Sequence, residues 1–238
     1  MSQDWVLITG ASKGIGLAVA KKCTELGYRA IGMARSAPTE SASFAEFLCV
    51  DLSDPRATAT ALAKISNLPI TRLVNNMGYT HSAALEDVTF EDLNRLVNLN
   101  LRTTIQVTQA SLPAMRAAHF GRIVNISSRA AMGKSHRTVY AAVKSGLHGL
   151  SRTWALELAP HITVNCVAPG PIETEMFRSV NAEESETTQR ILQTVPMQRF
   201  GQPREIAHAV TQFLDKDAGF TTGQLMHVCG GLTVGLAG

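Results

Sequence analysis

Short apolar runs alternate with longer segments of helical periodicity along the whole chain. The apolar runs cover residues 5–9, 30–34, 47–50, 73–75, 122–127, 163–168 and 225–228. Short, continuously apolar strands are typical of sheets that are buried on both faces, and the intervening helices supply the crossovers that parallel strands need. The sequence therefore predicts an α/β fold, a doubly wound seven-stranded parallel sheet with helices on both faces.

Length and charge limit the architecture and the partners. A chain of 238 residues, 45% of them hydrophobic, can close one large core, so we expect one domain over residues 1–238. The net charge of +3 is scattered, which argues against a nucleic-acid or membrane partner. No basic or apolar leader precedes the first run, which favours a soluble, cytoplasmic protein. The four cysteines form no Cys-x-x-Cys pair, and no metal site is predicted.

One polar stretch interrupts the alternation. Between Pro171 and Pro203 the apolar pattern dissolves, and residues 179–189 form a polar stretch that is too long for an ordinary connection in a compact domain. Inserts of this kind often cover a binding site. We therefore expect a substrate lid at about residues 174–195.

A glycine-rich loop follows the first predicted strand. It reads Thr9-Gly10-Ala11-Ser12-Lys13-Gly14-Ile15-Gly16 and continues into a helical pattern. Glycines at a strand-to-helix turn let the backbone approach a pyrophosphate, whose charge is stabilised at the positive end of the helix. A glycine triplet also occurs where a turn needs only backbone freedom, so the motif alone is weak evidence. The expected dinucleotide contacts in this loop are Gly10, Ser12, Lys13, Gly14, Ile15 and Gly16.

The end of the second predicted strand indicates which dinucleotide is bound. Sites for NAD(H) usually place a carboxylate there, and this carboxylate would repel the 2′-phosphate of NADP(H). The strand ends in Gly32-Met33-Ala34-Arg35-Ser36, which contains no acid. Arg35 and Lys13 would offer two cations to the phosphate, which favours NADP(H) over NAD(H). The alternative is that both are solvated surface charges.

Asp51 and Leu52 follow the third predicted strand and complete the expected adenosine end of the site. The carboxylate of Asp51 can accept a hydrogen bond from an adenine amino group. It can equally be the N-terminal cap of the helix that follows, and both readings remain open.

Tyr140 and Lys144 lie four residues apart near the start of a long predicted helix. Residues at this spacing share one helix face, so the ammonium can act on the phenol. A free tyrosine has a pKa of about 10, and a cation about 4 Å away in a partly dry site would lower it by about three units. We therefore expect Lys144 to bring the pKa of Tyr140 close to neutral, where the phenol can serve as a general acid or base.

Polar side chains end two further predicted strands, at the edge where ligands of doubly wound sheets bind. Ser127 and Ser128 close the strand before Tyr140, and a hydroxyl there can hydrogen-bond the substrate oxygen on which negative charge develops. Asn75-Asn76-Met77-Gly78 closes another strand, and Asn98-Leu99-Asn100 is expected to begin the next long helix.

These elements, in this order, resemble the single-domain branch of the short-chain dehydrogenase/reductase family, and in particular its 3-oxoacyl-[acyl-carrier-protein] reductases. The likeness covers nearly the whole chain and extends to Pro169-Gly170-Pro171-Ile172-Glu173-Thr174. The resemblance implies a single-domain Rossmann fold and a catalytic tetrad of Asn100, Ser128, Tyr140 and Lys144. It further implies cofactor contacts at Asn76, Met77, Gly78, Tyr140, Lys144, Pro169, Gly170, Ile172 and Thr174.

The same resemblance assigns a role to each member of the tetrad. Tyr140 is the general acid or base, and Lys144 lowers the pKa of Tyr140 and holds the nicotinamide ribose. Ser128 orients the carbonyl, and Asn100 supports a water in the proton relay. Ile172 and Thr174 would pack on the nicotinamide end of the cofactor.

The sequence departs from the family pattern at three places. Met77 stands where the family has alanine, which adds bulk near the cofactor. The usual gap to the tyrosine selects Ser127, whereas the strand end selects Ser128, and we prefer Ser128 because alternate residues of a strand face opposite sides. The region after Arg35 is short, so we do not expect a full helix there.

The combined features predict an NADP(H)-dependent oxidoreductase that interconverts a ketone or aldehyde and an alcohol by hydride transfer. The nearest expectation is a 3-oxoacyl-[acyl-carrier-protein] reductase-like ketoreductase, which would place it in fatty acid biosynthesis. The alternatives are a dehydrogenase of another small secondary alcohol and a non-catalytic protein that binds or senses NADP(H). The expected substrate is a small molecule or an acyl thioester, and the resemblance implies a homotetramer or homodimer.

Overall fold

A seven-stranded sheet forms the centre of the computed structural model, which describes residues 4–179, 181–182 and 185–234. All strand pairs are parallel, and the strand order is β3-β2-β1-β4-β5-β6-β7. The strands are β1 Trp5–Thr9, β2 Arg29–Ala34, β3 Glu46–Cys49, β4 Ile70–Asn75, β5 Gly121–Ile126, β6 Ile162–Pro169 and β7 Leu225–Val228. The predicted doubly wound parallel sheet is confirmed.

Helices connect the strands and cover both faces of the sheet. They are α1 Gly14–Glu25, α2 Pro55–Lys64, α3 Phe90–Val97, α4 Thr103–Ala117, α5 Thr138–Glu157, α6 Glu175–Arg178, α7 Glu186–Thr194 and α8 Pro203–Leu214. Side chains of β1 alternate between two buried clusters, because successive residues of a strand point to opposite faces. Val6 and Ile8 pack with α1 and α8, whereas Leu7 packs with α2, α4 and α5.

The strand order reverses at β1, which pairs with β2 on one side and with β4 on the other. In open parallel sheets the crevice for a ligand forms beyond the carboxyl ends of the strands at this reversal. The glycine loop after Thr9 and the Asn-Asn-Met-Gly segment after Val74 therefore lie at the same edge.

The structure differs from the sequence-based expectations at the predicted helix start and at the cap of α2. The chain does not begin a helix at Asn98; the helix begins at Phe90, and residues Asn98–Arg102 form a π-helical segment between α3 and α4. Asp51 does not cap α2, because the carboxylate of Asp54 accepts from Arg56 N at 2.7 Å and from Ala57 N at 3.1 Å.

Of the two connections flagged in the sequence, one matches its expectation and one does not. Between β2 and β3 only a three-residue 3₁₀ turn forms, Ser41–Ser43, so the expectation that no full helix follows Arg35 is confirmed. The polar stretch of residues 179–189 is not purely a loop, because α7 begins inside it at Glu186. Val180, Glu183 and Glu184 of this stretch lie outside the described residues.

Over the part of the chain that the structure describes, no helix combines the length and the apolar character needed to cross a bilayer.

The central strands should dominate stability. Leu73 of β4 is fully buried, so Leu73→Ala removes apolar contacts and leaves a cavity, which we expect to lower the free energy of unfolding by about 2–5 kcal/mol. Leu85→Ala is the matched control, because that side chain is 72% exposed and should change stability by less than about 0.5 kcal/mol. Urea unfolding measures both, and equal losses would contradict the assigned core.

Candidate active site

The glycine loop adopts a backbone that favours glycine at two positions. Gly10 and Gly14 have φ angles of 64° and 56°, and Gly10 N donates to Met33 O at 2.7 Å. Helix α1 begins at Gly14, and no side chain caps its N-terminus and no acid occupies its first turn. The positive end of the helix macrodipole is thus uncompensated beside the loop, as an anionic ligand requires.

Asn76 holds this loop from the neighbouring strand. Its Nδ2 donates to Thr9 O at 3.1 Å and to Gly10 O at 3.0 Å. A Cβ at Gly16 would lie 2.6 Å from the same Nδ2, so only glycine allows α1 to pack this closely. The structure therefore gives the Asn76 side chain a supporting position behind the loop.

Thr9 is a site residue that the sequence reasoning did not single out. Its Oγ1 accepts from Asn76 N at 3.1 Å and from Met77 N at 2.9 Å, which ties the end of β1 to the end of β4. In the sequence, the feature that could have pointed to Thr9 is its hydroxyl group, which directly precedes the glycine loop. The Met77 side chain is half-buried and packs on the second face of the core.

The segment after β6 crosses the glycine loop. Lys13 Nζ lies 3.2 Å from Glu175 Oε2, and a Cβ at Gly14 would lie 3.4 Å from Thr174 Cγ2. Both charged side chains are mostly exposed, so this ion pair contributes little and can be exchanged for a stronger anion. Ser12, between Gly10 and Gly14, is buried.

The segment after β6, residues 169–174, contains further expected cofactor contacts, and these have different neighbours. Pro169 ends β6 opposite Val228, and a Cβ at Gly170 would lie 2.7 Å from Cys229 Cα. The Ile172 side chain is buried in the core cluster that contains α8. Of the expected nicotinamide contacts, the structure thus brings Thr174 to the glycine loop but packs the Ile172 side chain into the core.

Arg35 and Asp51 follow β2 and β3, and both are exposed. Asp51 Oδ1 accepts from Ser53 N at 2.9 Å, and this hydrogen bond is the main reason why the Asp51 pKa is lowered, with a smaller effect from the Arg35 charge. Leu52 is buried, and its carbonyl accepts from Thr103 Oγ1 at 2.9 Å. Any contact of Leu52 with a ligand would therefore be made by its backbone.

The two serines at the end of β5 point to different partners. The side chain of Ser128 lies close enough to Tyr140 to oppose the rise of the Tyr140 pKa, and its Oγ accepts from Ala130 N at 3.1 Å. Ser127 is buried, and its Oγ donates to Lys144 O at 2.9 Å and lies 2.8 Å from His148 Nε2. The geometry supports the preference for Ser128, because this serine shares the phenol's environment.

Lys144 is buried, and its Nζ donates to Ile126 O at 2.9 Å. Burial lowers its pKa from 10.5 to about 8, because the charged form loses its hydration. The ammonium lies 5.8 Å from the centroid of the Tyr140 ring. Lysine and phenol therefore share the pocket, as their spacing predicts.

The expected electrostatic effect on Tyr140 is wrong for this structure. The Tyr140 pKa is raised, mainly by burial, and the opposing influences are the Ser128 hydrogen bond and the charge of Arg137. Lys144 is turned to a backbone carbonyl and is not among the causes. Desolvation of the phenol outweighs its charged surroundings, and this desolvation arises from tertiary packing that the residue spacing does not reveal.

Asn100 reaches the same pocket because it lies in the π-helical segment. Its Nδ2 donates to Leu96 O at 2.9 Å and to Tyr79 O at 3.1 Å. Its Oδ1 is buried and finds no hydrogen-bond partner within the described part of the chain. A Cβ at Gly78 would lie 3.1 Å from both this oxygen and Lys144 Nζ. The absence of a side chain at Gly78 therefore leaves room for the Asn100 oxygen and the Lys144 ammonium on the same side of the pocket.

Gly78 offers a direct test of this arrangement. Gly78→Ala would push apart the Asn100 amide and the Lys144 ammonium, and misplacement by about 1 Å can cost about 100-fold in activity. Gly149→Ala on α5 is the matched control, because no atom lies near the added methyl and alanine favours a helix. Carbonyl reduction and thermal unfolding would be measured for both variants. Full activity of Gly78→Ala would contradict the geometry.

Comparisons with known proteins agree with the geometry. The family model described as Enoyl-(Acyl carrier protein) reductase matches residues 10–233. The chain is 36% identical over 237 residues to the 3-oxoacyl-[acyl-carrier-protein] reductase FabG of Vibrio harveyi, covering 95% of this chain and 96% of that protein.

Solved structures give the same result. The aldohexose dehydrogenase of Thermoplasma acidophilum superimposes with a TM-score of 0.91 at 28% identity, covering 98% of this chain and 95% of that one. An NADP-bound 3-oxoacyl (acyl-carrier-protein) reductase from Agrobacterium tumefaciens gives 0.89 at 29% identity, covering 95% and 93%. The chain therefore belongs to the short-chain dehydrogenase/reductase family.

Proposed function

We propose that this protein is an NADPH-dependent ketoreductase that acts on 3-oxoacyl thioesters or related ketones. One arrangement carries the proposal: Ser128 lies close enough to Tyr140 to oppose the rise of the Tyr140 pKa, in a pocket where Lys144 and Asn100 face each other across Gly78. This pocket lies at the carboxyl edge of the sheet beside the glycine loop, where a nicotinamide and a carbonyl can meet. The likeness to 3-oxoacyl-[acyl-carrier-protein] reductases supports the substrate class.

The residues present fit a dinucleotide, which would supply the hydride. Glycine at positions 10, 14 and 16 leaves the loop backbone open at the N-terminus of α1, where a pyrophosphate is stabilised. Arg35 follows β2 with no acid at the strand tip, and this charge pattern supports NADP(H). The Agrobacterium relative binds NADP, in agreement with the proposal.

Further contacts are proposed along the cofactor. Lys13 would exchange Glu175 for the 2′-phosphate, and Asp51 and Leu52 would meet the adenine. Met77 and Gly78 would lie along the ribose, which Tyr140 and Lys144 would hold. The remaining proposed contacts are Ser12, Ile15, Asn76, Pro169, Gly170, Ile172 and Thr174.

Three side chains would have separate roles in the reduction. Ser128 Oγ would donate to the carbonyl oxygen of the substrate and orient it beside the Tyr140 hydroxyl. Because burial raises the Tyr140 pKa, the phenol stays protonated at neutral pH and can deliver its proton to that oxygen. The phenolate that results is stabilised by Ser128 and by the charge of Arg137. Asn100 Oδ1 would accept a hydrogen bond in the relay that returns the proton.

Two proposals concern the surroundings of the site. Residues 174–195 would act as a lid over the substrate, since Thr174 and Glu175 already reach the glycine loop. Leu156 and Phe220 are exposed apolar side chains, which suits assembly into a homodimer or homotetramer.

Replacement of the phenol tests the proposed function. Tyr140→Phe removes the proton donor, so kcat for reduction of a 3-oxoacyl thioester should fall by about 100-fold to 10,000-fold. Binding of NADPH, followed by quenching of its fluorescence, should change little. Full-rate reduction by this variant would exclude Tyr140 as the acid, and absence of turnover by the parent protein across thioesters and small ketones would favour a binding or sensing role.

The two serines give a matched pair. Ser128→Ala should lower kcat by about 100-fold, because the donor to the carbonyl oxygen is lost. Ser127→Ala removes hydrogen bonds behind Lys144, so it should reduce stability by about 1 kcal/mol and keep most of kcat. The reverse pattern would identify Ser127 as the catalytic serine.

The buried lysine predicts the pH dependence of reduction. Above pH 8 the Lys144 ammonium loses its proton, since its pKa is about 8, while Tyr140 keeps its proton because its pKa is raised. The profile of kcat/KM should therefore decline above about pH 8, and Lys144→Arg should remove this decline from any activity that remains. A flat profile of the parent protein to pH 10 would rule out Lys144 as the titrating group.

A further inference from the structure

Three cationic side chains crowd together on the segment that joins β5 to α5. They are Arg129, Lys134 and Arg137, and the segment leads from Ser128 to Tyr140. The Lys134 pKa is lowered, first by partial loss of hydration and then by the charges of Arg137 and Arg129. Arg129 and Arg137 thus each lie close enough to Lys134 to disfavour its charge.

Within the described residues, 4–179, 181–182 and 185–234, these three cations are not paired with acidic side chains. Arg137 Nη1 donates to a neutral partner, Thr80 Oγ1, at 2.6 Å. Like charges held together without a counter-charge are stabilised when an anion binds between them.

The cluster is fixed to the catalytic pocket. His136 O accepts from Ala83 N at 3.0 Å and from Ser82 Oγ at 3.3 Å, and Ser145 Oγ of α5 donates to Ala131 O at 2.7 Å. The same segment begins with Ser128, whose Oγ accepts from Ala130 N. The cations are therefore presented by the backbone that also positions the serine.

The distance to the reacting centre limits what the anion can be. Arg137 directly precedes α5 and lies three residues before Tyr140 along the chain. The Arg137 guanidinium is hydrogen-bonded to Thr80, two residues beyond Gly78, so this cation lies at the edge of the pocket that contains Lys144 and Asn100. An anionic group on the substrate would reach the cations through a spacer of only a few bonds.

We propose that Arg129, Lys134 and Arg137 form an anion subsite that selects ketone substrates carrying a carboxylate or phosphate a few bonds from the carbonyl. This inference rests on the proposed ketoreductase function. Guanidinium groups suit such anions because they donate paired hydrogen bonds. The phosphate of a carrier protein's pantetheine arm lies much farther from the carbonyl, so a short keto acid or keto phosphate is the favoured occupant.

A matched pair of ketones tests the subsite. The probes are 5-oxohexanoate and its methyl ester, which differ only in the charge of the distal group. The parent protein should reduce the acid with a kcat/KM at least about tenfold above that of the ester, and added NaCl should diminish this preference. The variant Arg129→Gln/Lys134→Gln should lose about tenfold on the acid and less than about threefold on the ester. Arg137 is retained because it also acts on Tyr140.

The control is Arg56→Gln/Lys64→Gln, which removes two exposed cations from α2. It should leave both reactions unchanged. Equal reduction of acid and ester by the parent protein, or equal losses on both in the subsite variant, would overturn the subsite while leaving ketoreductase activity intact.

Binding separates the two proposals when turnover is absent. If neither ketone is reduced, the proposed function fails for these substrates, and calorimetric titration of 5-oxohexanoate into the NADPH complex decides the subsite. Binding that the Arg129→Gln/Lys134→Gln variant weakens about tenfold supports the subsite, and binding that is absent or unchanged in this variant contradicts it.

Discussion

The buried ammonium of Lys144 is the constraint around which the pocket is arranged. Its charge has lost its hydration and has one close backbone partner, Ile126 O, at the end of β5. A lysine pKa that falls from 10.5 to about 8 corresponds to about 3 kcal/mol of unfavourable burial at neutral pH. A group held at that cost is typical of a functional site, because a well-packed apolar side chain there would stabilise the fold.

Separate parts of the fold must cooperate to place this cation. The carboxyl ends of β4 and β5 supply Gly78 and the acceptor carbonyl, and α5 carries the lysine beneath Tyr140. The π-helical segment turns Asn100 towards the same space. On the other side of the crevice, Asn76 and Thr9 fix the glycine loop against the end of β4. The order of the strands in the sheet thus determines which functional side chains, carried at the ends of strands and helices, lie together.

Patterns that depend on local spacing could be predicted from the sequence. The seven strands, the glycine loop and the Tyr140–Lys144 pair follow from apolar alternation and helical periodicity, and the strand end led to Ser128. Features that depend on tertiary packing could not. The π-helical segment has no local sequence signal, the Lys13–Glu175 pair joins distant parts of the chain, and the raised Tyr140 pKa reflects burial by several elements. The lack of ion pairs to Arg129, Lys134 and Arg137 within the described residues likewise depends on tertiary structure.

The desolvated cation of Lys144 is retained for function at the expense of stability. Unfolding free energies of the parent protein and Lys144→Met, measured by urea titration from pH 7 to pH 10.5, test it most directly. Because the folded-state pKa is depressed, the parent protein carries the full penalty below about pH 8 and is relieved of it as the pH rises towards 10.5. We predict that Lys144→Met is more stable by about 3 kcal/mol at pH 7, that the difference shrinks above pH 8, and that the variant is inactive. A variant that is less stable than the parent at pH 7, with a difference independent of pH, would contradict the account.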